Sequence, residues 1–117
     1  LLHEFHEHRL GATIEDVTYT RAEVDFFNDV VKGVDARRDE IDGHISAKLS
    51  EGWSIDRLDR QMRQILRAGT YELLARKDLP AGVIINEYVD VADAFYAKRE
   101  KGFVNGVLDA IAKAVRG

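Results

Sequence analysis

Three groups of residues are of types that could do chemistry. The first is a histidine-rich opening, in which His3, His6 and His8 alternate with Glu4 and Glu7. His3 with Glu7, and Glu4 with His8, are spaced i,i+4, so either pair can share a helix face. The zinc-protease pattern His-Glu-x-x-His is absent, because His6 follows Glu4 too soon. A catalytic zinc also needs three protein ligands and an open position. The group reads as a solvated helix end, and no metal or cofactor site is expected.

The second group is Arg60, Arg63, Gln64 and Arg67. At about 100° per residue the three arginines project on one side of a helix, opposite its apolar face, with Gln64 beside them. Guanidinium groups so placed can hold phosphates bidentately. Asp56 and Asp59 lie one turn earlier and could instead pair with Arg60 and Arg63. On pattern alone, the ion-paired, solvated face is favoured over the phosphate grip.

The third group runs from Lys98 to Asn105. It holds Lys98, Arg99 and Lys101 around a single Glu100, followed by Gly102, Phe103, Val104 and Asn105. An aromatic ring beside cations suits stacking on an unpaired base. The start of a helix offers free N–H groups and a positive dipole end to a phosphate. The plainer reading is that Phe103 seals the core and Asn105 caps the turn. Acid–base or nucleophilic catalysis finds no support. There is no Gly-x-Ser-x-Gly elbow, no phosphate-cradling glycine loop and no cysteine. Carboxylate neighbours such as Asp39 and Glu40 fall on polar faces. The chain is therefore not expected to be an enzyme.

The elements that must position these residues read as helices throughout. One proline and nine glycines punctuate 117 residues, and no alternating strand pattern of useful length occurs. Leu1 to Arg9 resembles the tail of a helix, and Gly11 to Tyr19 a polar connection. Thr20 and Glu23 form a capping box, followed by the stripe Val24, Phe27, Val30, Val31 and Val34. A second amphipathic stretch spans Asp35 to Leu49 through Ile41 and Ile45. Ser54 is the expected N-cap of the best-defined helix, which reaches about Arg76 with Ile55, Leu58, Met62, Ile65, Leu66, Gly69 and Leu73 on one face. Pro80 suits the first turn of the next helix. That helix is expected to reach about Lys98, burying Val83 or Ile84 with Val91, Ala92 and Phe95. A charged turn, Lys98 to Gly102, then leads to a last helix from Phe103 to about Val115.

Size and charge bound the function. The chain is long enough for one domain, 1–117, with a substantial core. Hydrophobic residues make up 45% and charged residues 32%, as in ordinary globular proteins. The net charge of −4 and pI of about 5.5 argue against coating nucleic acid by bulk charge, though not against a local basic patch. Without cysteine there is neither disulfide nor thiolate metal site, which is compatible with a reducing, cytoplasmic setting. No apolar run approaches a membrane span of roughly 20 residues. The chain opens Leu-Leu-His-Glu without an initiator methionine, in what reads as mid-helix, so a preceding segment is expected.

Three segments carry a family resemblance. They are Arg67 to Leu74 (Arg-Ala-Gly-Thr-Tyr-Glu-Leu-Leu), Asp78 to Val89 (Asp-Leu-Pro-Ala-Gly-Val-Ile-Ile-Asn-Glu-Tyr-Val) and Gly102 to Asp109 (Gly-Phe-Val-Asn-Gly-Val-Leu-Asp). In order and spacing they resemble the C-terminal half of the NusB family of transcription antitermination factors, and Glu23 to Val34 resembles its middle helix. The resemblance covers about Glu23 to Arg116, and Phe103 to Asp109 is its most specific part. It implies an all-α, compact helical domain of two small packed bundles, here lacking the family's N-terminal helix. It implies binding of boxA, a single-stranded RNA element of ribosomal RNA leaders, together with NusE, a small-subunit ribosomal protein. The pair would act on transcribing RNA polymerase. Phe103 and Asn105 fall in the motif near the family's RNA surface, and Arg67 matches a helix arginine before the Tyr-Glu-Leu pattern. Arg60, Arg63 and Gln64 are placed on the same surface from helix geometry, and Lys101 is added from the basic stretch that precedes Phe103. Tyr71, Glu72, Asn86 and Glu87 are expected to be structural.

The family's arginine-rich opening segment is absent here, which implies weaker RNA binding by this chain. Apolar surface left open by its absence could support a homodimer. Two other readings stay open. A NusB-like domain can serve as the RNA-docking part of an rRNA cytosine methyltransferase, and a helical adaptor could bind protein alone.

Overall fold

The computed structural model describes the backbone of residues 21–116 and the side chains of residues 29–116. The histidine group, the polar connection and the side chains of the expected capping box, Val24 and Phe27 lie outside the described residues. The described part holds five α-helices: α1 (Arg21–Ala36), α2 (Arg38–Lys48), α3 (Arg60–Ala75), α4 (Ala81–Asp93) and α5 (Lys98–Arg116). A single 3-10 turn, Ile55–Arg57, lies between α2 and α3. No strand occurs among the described residues.

The helix boundaries correct several sequence expectations. Ser54 precedes only the 3-10 turn, because Leu58 returns to extended backbone at φ −79° and ψ 146°. The N-cap of α3 is Asp59, whose carboxylate accepts the Met62 N–H at 2.8 Å. Asp35 and Ala36 finish α1, and α2 begins only at Arg38. Pro80 holds the N-cap position of α4. That helix ends at Asp93, not near Lys98, as Ala94 and Phe95 close back on the carbonyls three residues earlier. Ala97 then accepts the N–H groups of Glu100 and Lys101. Lys98 to Gly102 is thus not a turn but the opening of α5. Ile84 is buried and Val83 is exposed, and Phe95 is exposed rather than buried.

Helix α3 is the central element. Met62 and every residue from Ile65 to Leu73 are buried on it. No one-sided amphipathic helix does that, so α3 is covered from several directions. Its apolar side meets α4 and α5. At Gly69, an added Cβ would sit 2.9 Å from Leu108 Cδ1 and 3.4 Å from Tyr88 Cγ. Its other side meets α1 and α2. At Gly33 of α1 the backbone lies against the Tyr71 ring, where an added Cβ would overlap the ring carbons. Ile41 and Ile45 of α2 are fully buried in the same core as Ile65, Leu66, Leu73, Val104, Leu108 and Ile111.

Polar contacts fix the directions of the helices. Tyr96, in the α4–α5 turn, donates its hydroxyl to Asp59 at the start of α3, at 2.5 Å. Leu108 meets Gly69 near mid-helix. At the far end Arg116 donates to the carbonyls of Leu73, Arg76 and Leu79, at 2.9, 2.8 and 2.5 Å. These carbonyls belong to the end of α3 and its exit turn, where backbone acceptors lack helical donors. Helices α3 and α5 therefore run parallel. Helix α4 returns antiparallel between them, with the buried Tyr88 hydroxyl donating to Glu72. The expected structural roles of Tyr71 and Glu72 are visible here. Tyr71 donates to Asp29 of α1 at 3.2 Å, and Glu72 accepts from α4.

Candidate nucleic-acid interface

The parallel arrangement brings the N-termini of α3 and α5 to one end of the molecule. Arg60 opens α3, with Arg63 and Gln64 three and four residues further on. Lys98 and Arg99 open α5, with Lys101 and then Phe103 and Asn105 behind them. All of these lie within about two helical turns of the same end. Arg60, Lys98, Arg99 and Asn105 are exposed, while Arg63, Gln64, Lys101 and Phe103 are half-buried. Two helix N-termini also point their positive dipole ends there.

The electrostatics of this end are open to an anion. Arg60 and Arg63 make no ion pair among the described residues, and the expected pairing with Asp56 and Asp59 does not form. Asp59 is instead engaged by the Met62 N–H and the Tyr96 hydroxyl. Arg99 is 93% exposed beside Glu100 at 3.5 Å. Lys101 pairs with Asp93 at 2.8 Å on the surface. Exposed pairs of this kind contribute about 1 kcal/mol at most, so a phosphate can compete for the ammonium. Burial, and next the bond to Asp59, push the Tyr96 hydroxyl far above its ordinary pKa.

Arg67 does not belong to this surface. Its side chain is 8% exposed and makes a bidentate pair with Asp42 of α2, at 2.8 and 2.9 Å. It shares a helix stripe with Arg60 and Arg63, but α2 covers that stripe two turns into α3. Phe103 also differs from expectation. It sits five residues inside α5, packed partly on the core, so the free N–H groups of the helix start lie at Lys98 and Arg99 instead. Sequence reading missed Asp59 and Tyr96 as organisers of this end. A cap-type residue immediately before Arg60 was the available signal. Among the described residues no group of three or more His, Cys, Asp or Glu could hold a metal ion. Nor is any described helix long and apolar enough to cross a membrane.

Comparison with known proteins decides the family. The NusB family model matches residues 2–113. The chain belongs to the NusB family. It is 68% identical over 116 residues to the transcription antitermination protein NusB of Novosphingobium aromaticivorans, covering 99% of this chain and 78% of that protein. Among solved structures, T. maritima NusB aligns with a TM-score of 0.78 at 35% identity, over 96% of this chain and 84% of that one. A crystal structure of the antitermination factors NusB and NusE in complex with dsRNA aligns at 0.76 and 28% identity, over 97% and 89%. The NusB relatives are named as antitermination proteins, and the chain is accordingly no enzyme.

Within this chain, the arginines of α3 are expected to separate experimentally. Arg67→Ala should destabilise the fold by about 2–3 kcal/mol, since it strands a half-buried Asp42 and empties packed volume. Arg63→Ala should leave the melting temperature within about 2 °C, because Arg63 makes no ion pair among the described residues. Thermal unfolding of the two variants checks this. Equal melting temperatures would show that the Arg67–Asp42 pair contributes nothing to the fold.

Proposed function

We propose that this NusB-family chain binds boxA-type single-stranded RNA together with the ribosomal protein NusE. The pair then acts on transcribing RNA polymerase in the cytoplasm to suppress termination, in support of ribosomal RNA synthesis. The observation that carries this reading is the likeness, over nearly the whole chain, to NusB held with NusE and dsRNA; that the RNA taken here is single-stranded is the finer part of the proposal. The local geometry supports it. Arg60 and Arg63 of α3 and Lys101 of α5 would hold phosphates. Phe103 would stack on a base. Gln64 and Asn105 would hydrogen-bond base edges or sugars. A net charge of −4 makes this a local grip rather than bulk attraction.

A fluorescent boxA-like RNA titrated with the chain, with and without NusE, at two salt concentrations, tests the reading. Binding enhanced by NusE and weakened by salt is the expected result. With three to four phosphates held, affinity should fall by about 30-fold between 50 and 200 mM salt. A scrambled RNA bound equally well would remove the boxA assignment. No RNA binding with NusE present would leave a helical adaptor as the better reading.

A further inference from the structure

Asp59 does two jobs with one carboxylate oxygen. Oδ1 accepts the Met62 N–H, which caps α3, and it also accepts the Tyr96 hydroxyl, which anchors the turn before α5. The two bonds meet between Arg60, the next residue after Asp59, and Lys98, two residues after Tyr96. Helix α3 supplies Arg60, Arg63 and Gln64, and helix α5 supplies Lys98, Arg99, Lys101, Phe103 and Asn105. Among the described residues no other side-chain hydrogen bond joins these two groups at that end; the remaining α3–α5 bonds, from Arg116, lie at the opposite end. The core contact of Gly69 with Leu108 fixes the spacing of the helices but lies about three turns away.

We infer that the Tyr96–Asp59 clasp is a positioning device that sets the relative placement of the α3 and α5 cation groups, so that both engage one RNA strand. The inference rests on the RNA-binding reading above. Its physical basis is preorganisation. Two groups held in fixed register lose less freedom on binding than two that shift independently. The carboxylate suits the task because it accepts two bonds at once and carries no donor of its own. Its negative charge also lies where a phosphate would otherwise approach the two helix N-termini. Engaging that charge with two donors lessens its opposition to the RNA without removing it.

The variants Tyr96→Phe, Asp59→Asn and Asp59→Ala separate positioning from folding. Tyr96→Phe removes one hydroxyl and leaves the α3 cap intact. It should weaken binding of a single-stranded boxA-like RNA, with NusE present, by about fivefold. Its salt dependence should fall by about one phosphate contact, as one helix's cations drop out of register. Asp59→Asn keeps an acceptor for both the cap and the hydroxyl. It should bind RNA as tightly as the unchanged chain, or tighter. Asp59→Ala loses both bonds and should melt several degrees lower. Combined with Tyr96→Phe, it should weaken binding no further, since the shared bond is already gone. Unchanged RNA affinity and salt slope in Tyr96→Phe, with or without a lower melting temperature, would overturn the positioning role and leave RNA binding standing. Failure of the unchanged chain to bind the RNA with NusE would overturn the RNA reading and the clasp's role together.

Discussion

Replacing Tyr88 by alanine is expected to destabilise the fold by about 4 kcal/mol, enough to lower the melting temperature by roughly 15 °C. Tyr88 is fully buried in the middle of α4. Its ring lies against Gly69, the point where α3 is also approached by Leu108 of α5. Three helices therefore meet around one glycine, and none can close over a missing ring without losing contact with another. The hydroxyl adds a second contribution. It donates to Glu72, which is 2% exposed and lies 3.8 Å from the Arg76 guanidinium. Tyr88→Phe keeps the ring and removes this donor, which should cost about 1–2 kcal/mol. The alanine variant should thus lose at least twice as much stability as the phenylalanine variant. Thermal and urea unfolding of both variants check the order. A phenylalanine variant as unstable as the alanine variant would mean that the Glu72 contact, not the ring, holds α4 to α3.

The sequence carried the helices well and their covering poorly. Period-3.6 spacing located every helix among the described residues, because apolar stripes such as Ile41–Ile45 and Val104–Leu108–Ile111 persist for several turns. It misplaced boundaries where no glycine or proline marks them. The turn Ala94 to Ala97 is built from residues compatible with a helix, and only backbone bonds to Val91 and Ala92 reveal the break. Conversely, Gly102 suggested the end of a turn and yet lies inside α5. The burial of Arg67 was not legible either. Its partner Asp42 is 25 residues away, and helical spacing says nothing about which face a second helix will cover. The family motif from Phe103 to Asp109 was legible because it is a fixed string. The Tyr96–Asp59 bond joins residues 37 apart, so only the fold could bring it into view.

The same limits bear on Phe103, whose substitution is expected to have the largest effect on RNA binding. Stacking one base on an aromatic ring contributes about 1–3 kcal/mol, which is roughly 5- to 150-fold in affinity. Phe103 is half-buried against the core, so Phe103→Ala would disturb α5 as well as remove the ring face. Phe103→Leu separates the two effects. It keeps the apolar volume, and should fold with a loss below about 1.5 kcal/mol, while offering no π-face to a base. Binding of boxA-like RNA in the presence of NusE should then fall by about tenfold. Salt provides the discriminating axis. A loss caused by Arg63→Ala should shrink as salt rises, because the phosphate contribution itself is screened and the released counterions matter less. A loss caused by Phe103→Leu should keep its size, because stacking involves no counterion. If the leucine variant binds as tightly as the unchanged chain at both salt concentrations, Phe103 is a core residue that happens to reach the surface. The grip would then rest on Arg60, Arg63 and the basic opening of α5, and its affinity would be almost wholly electrostatic.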